Sequence, residues 1–224
     1  PLFVGFVRFV APTLCQIKKL EFVMKDMPSW LPTLVWIDYR VALLFTVVFP
    51  LMLLIWAFIQ KAEAMQRLMI IYWRVSSLLA ITVYLMIGAL PIAFISGWLA
   101  RLLIPLSLWF WVDLNEEIDD QPSSALKISF NSWRWGVSIY SLLGLLGQLP
   151  ILSCGLKSQT QLLETTACRL WLEPPWGFRE FFHESTKPYF LGFLGILALV
   201  VYVIYLGYFV VFRLGKQGRS ATGY

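Results

Sequence analysis

The chain has 224 residues, of which 59% are hydrophobic and only 14% charged, with a mean hydropathy of +0.72 and a formal charge of +5. Soluble domains carry roughly 45–50% apolar and about 25% charged residues, so a soluble fold is excluded and the chain reads as an integral membrane protein. Its positive charge is scattered, offers no basic run to nucleic acid, and suits lysines and arginines set beside anionic lipid.

Residues 1–40 are apolar and aromatic but broken by Pro12, Pro28 and Pro32, and they are expected to lie along the membrane interface. They lack the charged start, short apolar core and small-residue cleavage site of a signal peptide, which leaves the first span as the expected insertion signal. A span needs about 20 apolar residues. "VALLFTVVFPLMLLIWAFIQ", residues 41–60, supplies the first, entered through Asp38 and Arg40 and left at Lys61. Pro50 at its middle withdraws a donor from the carbonyl of Thr46, so a kink is expected there.

Residues 68–112 form one apolar run, which as a single helix would be about 67 Å long, far more than a bilayer. The run must fold back at "GALPIAF", where Gly88 and Pro91 interrupt it, giving spans at 68–90 and 92–112. A fourth span follows at 133–152 and a fifth at 189–212. The expected fold is all-α, a polytopic transmembrane bundle of five spans with a short interfacial helix. Arg101 falls near the centre of the third span, where insertion scales charge roughly 2.5–3.5 kcal/mol, and this leaves a four-span alternative with 98–112 in the interface. Arg74 is nearer a helix end and can snorkel. Both arginines are candidates for a lipid headgroup.

Small residues recur every third position in the fourth span (Ser138, Ser141, Gly144, Gly147) and in the fifth (Gly192, Gly195, Ala198). Such residues let helix backbones approach closely in lipid, first of all within the bundle itself. Residues 174–187 read as a surface amphipathic helix, with Phe178, Phe181 and Phe182 on one face and Arg179, Glu180, His183 and Glu184 on the other. Trp176 joins its aromatic side. The Lys/Arg census of the two membrane sides is nearly even, so only the short basic tail 213–224 points to a cytoplasmic C-terminus. Cys15, Cys154 and Cys168 lack a CxxC pairing. Cys154 and Cys168 share one loop and would pair if it faced an oxidising compartment, although two free thiols is the plainer reading.

"WFWVDLNEEIDD", residues 109–120, passes from an aromatic belt into Asp113, Glu116, Glu117, Asp119 and Asp120. On a helix, Asp113, Glu116, Glu117 and Asp120 would share a face. A carboxylate-bridged metal pair would add Glu-x-x-His motifs, and the chain's one histidine, His183, is outside any such motif. An EF-hand starting at Asp113 would need glycine where Ile118 stands. No metal is therefore expected. The acids read first as a solvated loop at a span's end, and in functional terms as a docking surface for a cationic partner. His183 could serve as one axial ligand to a chlorophyll but not as the pair that a b-type haem commonly takes. GxSxG, HExxH, P-loop and GxGxxG motifs are all missing, so no catalytic residue is assigned.

The stretches 34–88, "LLIPLSLWFWVDLNEEIDDQPSSALKISFNSWRW" (102–135) and "WLEPPWGFREFFHESTKPYFLGFLG" (171–195) together resemble a functionally uncharacterised family of multi-spanning cyanobacterial membrane proteins. The resemblance covers most of the chain after about residue 30 and implies a thylakoid membrane and a place near photosystem biogenesis. The expectation is a non-catalytic auxiliary protein bound to a photosynthetic membrane complex, a photosystem or its assembly intermediate. Its contacts would be the 113–120 acids, the aromatic 174–187 segment and small-residue helix faces. No cofactor is required, while chlorophyll, carotenoid or lipid could fill grooves at the partner interface. The alternative is a small transporter or lipid-handling membrane enzyme built around Arg74 and Arg101.

Overall fold

The computed structural model describes residues 30–214, so the segment before Trp30 and the tail beyond Leu214 lie outside the described residues. Every regular element among the described residues is helical.

Helix α1 runs Leu31–Ile59. It begins ten residues before the expected span, so Asp38 and Arg40 sit inside a helix and not at its mouth. Pro32 falls in the first turn, where its missing N–H costs nothing. Just before Pro50 the helix widens into a π segment, Leu44–Val48. In the α register Pro50 would have served the carbonyl of Thr46, and in the π register that of Phe45. Each receives a side-chain donor instead: Tyr72 Oη bonds Thr46 O at 2.8 Å, and Trp133 Nε1 bonds Phe45 O at 2.8 Å. The two rings meet edge to face at 5.0 Å. The proline defect is thereby sewn to two neighbouring helices.

Helix α2 spans Glu63–Ile87 and α3 spans Ile92–Trp109. The turn between them lies at Gly88–Pro91, where it was expected, with Ala89 at φ 51°. Helix α3 runs unbroken, is long and apolar enough to cross a membrane, and has half of its apolar stretch buried in the bundle, which supports 92–112 as a span over the version that laid 98–112 in the interface. Helix α4, Val112–Asp120, is the acidic segment, a helix and not a loop. Helix α5, Ala125–Gly147, starts eight residues before the expected span, capped by Ser124, whose Oγ accepts from Lys127 N. A 3₁₀ segment, Leu149–Leu156, follows at a 62° bend. Because Lys127, Asn131 and Arg134 occupy the first turns of α5, only the bent pair together is apolar enough to cross a membrane. Four helices meet that test singly, and the bent pair makes five. The ambiguity in span count thus belongs to the fourth span, not to Arg101.

Three short helices follow, α6 (Gln159–Glu164), α7 (Thr166–Leu170) and α8 (Glu173–Phe182), and then α9, Pro188–Tyr208, whose apolar helical run continues to Phe212. The main core gathers Leu68, Tyr72, Ile104, Leu108, Phe130 and Trp133 among α1, α2, α3 and α5. A second cluster, including Phe94 and Leu172, surrounds a disulfide between Cys154 and Cys168, whose Cα atoms are 5.8 Å apart. The free-thiol reading is corrected there. That loop, the α2–α3 turn and α8 lie at one end of the bundle, while α4 and the C-terminal turns of α9 lie at the other.

The small-residue stripes pack inside the bundle. A Cβ at Gly192 of α9 would stand 2.8 Å from the Gly88 Cα, and one at Gly195 would meet Leu85 N at 3.0 Å. At Gly144 of α5 it would run into the Arg101 guanidinium, while Gly147 has open space around it.

Candidate functional site

Arg101 is 7% exposed in the middle of α3. A lone guanidinium at that depth would be costly, and the fold offsets part of that cost with a carboxylate expected at a span's mouth. Arg101 Nη2 donates to Asp38 Oδ2 of α1. Tyr140 of α5 donates to Asp38 Oδ1 at 2.8 Å and to Asp38 O at 3.0 Å, and the guanidinium lies over the Tyr140 ring at 5.1 Å. With its amide oriented toward the guanidinium, Gln148 Oε1 accepts from Arg101 Nε at 3.1 Å and Nη2 at 3.3 Å. Asp38 therefore holds the place that a lipid headgroup was expected to take at Arg101, and three helices are tied through one neutral pair. The sequence signal was present: a lone acid in "LVWIDYR" and a lone base in "WLARLL", each unaffordable in lipid without the other.

Beside this network a slot of about 470 Å³ runs between α1 and α2, with Arg101 and Gln148 on one wall. Trp73, Ser77 and Val83 line it along α2, and Pro174 and Phe182 of α8 close its far end. Its surface is overwhelmingly apolar.

The acids are placed differently. On α4, Leu114 and Ile118 are fully buried while Glu116, Glu117, Asp119 and Asp120 are exposed. Asp113 is half-buried at the first turn, where a carboxylate suits the helix dipole. The helix is held firmly: Arg134, 3% exposed and stacked 4.2 Å from the Trp109 ring, donates to Asn115 Oδ1 at 2.6 Å. Lys127 Nζ donates to the carbonyls of Asp119 and Gln121 at the helix's C-terminal end. Among the described residues no cation lies within ion-pair distance of the four outward carboxylates. The described residues also contain no cluster of three or more potential metal ligands.

Helix α8 is also packed against the end of the bundle. Trp176 Nε1 donates to Ile87 O at 3.3 Å, and Phe178 and Phe182 face the slot, so of the aromatic docking candidates Phe181 alone is exposed, at 46%. His183, expected on an exposed polar face, hydrogen-bonds through Nε2 with Tyr84 Oη at 3.1 Å and packs near Phe178. A chlorophyll magnesium would have to displace that bond or use the other nitrogen. Outside the spans, burial raises the Glu173 carboxyl above its ordinary value, against the opposing pull of Arg169.

Arg74 is the second arginine. It is the twelfth residue of α2, yet it lies level with Phe110 and Trp111, because the first turns of α2 run beside α4 beyond the apolar zone. Its hydrogen-bond partner is Tyr205 of α9, to whose Oη Arg74 Nη1 donates at 3.3 Å. No carboxylate lies within ion-pair distance among the described residues. Two apolar grooves, of about 400 and 540 Å³, both border this guanidinium.

The architecture is that of a polytopic helical membrane protein whose described residues include the Asp38–Arg101 pair inside the bundle and an exposed Arg74 level with Phe110 and Trp111. Residues 32–222 match a family described as "Protein of unknown function (DUF3177)", and the chain belongs to that family. Neither a curated protein nor a solved structure matches it.

Proposed function

We propose that this protein is a non-catalytic auxiliary subunit that associates with a larger membrane complex. In its finer form the proposal places the complex in the thylakoid membrane of a cyanobacterium and the role in photosystem assembly or stabilisation. The photosynthetic setting rests on the sequence resemblance given above. The binding role rests on α4: four carboxylates held outward on a helix that is anchored by buried Leu114 and Ile118 and by Asn115–Arg134, with no cation among the described residues within ion-pair distance of them. Like charges so close repel one another, and a basic partner surface would relieve that repulsion.

Affinity purification from native membranes tests this. The wild-type chain should bring down a large membrane complex, and reversing Glu116, Glu117, Asp119 and Asp120 to lysine should cut recovery several-fold. Unchanged recovery would return the acids to a purely solvating role. The slot beside Arg101 favours a second reading, a lipid-handling membrane protein. Purification of the chain alone with a small amphiphile in that slot would establish it and overturn the first.

A further inference from the structure

We propose that Arg74 binds the headgroup of an anionic membrane lipid whose chains occupy the two apolar grooves that meet at this side chain. Helix α9 makes backbone contact with α2 at Gly88–Gly192, and at Gly195 it is still close enough to press on Leu85. Toward its C-terminal end the spacing residues are Tyr202 and Tyr205, and α9 is held off by the length of a tyrosine: Tyr202 Oη reaches Val75 O at 3.4 Å. Small residues at one end and large ones at the other make a wedge. The deeper groove opens between α3 and α9, lined by Leu103, Leu106, Leu206 and Phe209. The shallower one follows the outer seam of α2 and α9 past Ile81, Leu194 and Val201 toward the bilayer centre.

Arg74 borders both grooves. Its guanidinium carries five N–H donors, of which one is spent on Tyr205 Oη. Unlike Arg101, it has no carboxylate of the chain within ion-pair distance among the described residues. A cation at the level of an aromatic belt, with open donors and apolar troughs on both sides, matches an amphiphile with an anionic phosphate or sulfonate head and two hydrocarbon chains. The charge balance points to an anionic lipid in preference to a zwitterionic one, whose own cation would face Arg74.

The test uses the full chain purified in neutral detergent, with phosphatidylglycerol, phosphatidylcholine and free glycerol phosphate as probes. Native mass spectrometry and thermal unfolding should show phosphatidylglycerol retained over phosphatidylcholine by about fivefold, the ratio expected of one basic side chain near an anionic surface. Arg74→Gln should bring that ratio close to one and Arg74→Lys should keep part of it, while Arg67→Gln, in an exposed pair with Glu63, should leave it unchanged. Free glycerol phosphate should neither bind nor stabilise; if it did so as well as the lipid, the site would be one for a soluble anion. Equal retention of both lipids by wild type, or a preference surviving in Arg74→Gln, overturns the proposal. Should Arg74→Gln fail to fold, phosphatidylglycerol with a photoreactive acyl chain is applied to wild type. Labelling of α3 and α9 around Leu103, Leu106 and Leu206 is expected, and labelling confined elsewhere overturns it.

Discussion

Arg101 of α3 is ion-paired with Asp38 of α1, and Gly144 of α5 leaves the space in which the guanidinium lies. Removing one member strands the other in a low-dielectric interior, which costs about 3–5 kcal/mol, whereas replacing both with apolar residues of similar size is often close to neutral. Arg101→Leu and Asp38→Leu should each lower the thermal midpoint in detergent sharply, and the double variant should recover much of the loss. Gly144→Ala should destabilise the wild type, since the new methyl carbon would fall 1.7 Å from Arg101 Nη1, and should be tolerated in the Arg101→Leu background.

The repair of the Pro50 defect is open to a second measurement. Tyr72→Phe removes the donor to the Thr46 carbonyl and Trp133→Phe removes the donor to Phe45. Each should cost about 1–3 kcal/mol, the penalty of a buried carbonyl left without a partner, read from denaturant unfolding of the solubilised protein. An unchanged midpoint in both would mean that the π segment does not need these bonds.

The seating of α9 depends on two glycines in backbone contact. Gly192→Val should dislodge the helix at a cost of about 1–3 kcal/mol, the range for overpacking, and expose the 183–188 connection to protease. Gly207→Ala, whose Cβ would meet nothing within 4 Å, should be neutral or raise stability by up to about 1 kcal/mol through helix propensity.

The Cys154–Cys168 bridge closes a loop with a sequence separation of 14. By the chain-entropy account a loop of that length contributes about 3 kcal/mol. The Cys154→Ser, Cys168→Ser double variant should lose stability of that order, and maleimide should modify the wild-type pair only after reduction.

Glu173 supplies a pH dependence. Burial raises its folded-state value above the ordinary 4.5, so its protonated form is the better tolerated one. The contribution is complete below the unfolded value and is lost as pH rises through the folded value. Glu173→Gln should therefore raise the thermal midpoint at pH 7, and the difference should vanish at pH 4, as differential scanning in buffered detergent would show.

The membrane class, the helical content and the turn at Gly88–Pro91 were legible because hydropathy and helix breakers act locally. The stripes at Ser138–Gly144 and Gly192–Gly195 were legible as packing faces for the same reason. The extent of α1 was not: an acid at Asp38 reads as a span's end until Arg101, 63 residues away, is known to neutralise it. Helix α4 was hidden because carboxylates look alike on a loop and on a helix whose anchoring comes from Leu114, Ile118 and a distant Arg134. For α8, amphipathicity was legible, but its contact with the end of the bundle at Ile87 was not, because that partner is remote in sequence. His183 was likewise read as exposed because Tyr84, its partner, is 99 residues away. At Asp38, Trp176 and His183 the missing knowledge was a polar group's partner remote in sequence.

The cystine in the second core cluster also works as a compass. Such bonds persist on the side of a membrane turned away from the reducing cytosol, and α4 with its carboxylates sits at the opposite end of the bundle, together with the belt at which Arg74 lies. On that ground we propose that a partner of the acids would approach from the cytosolic face, and that the lipid proposed at Arg74 would come from the leaflet on that side.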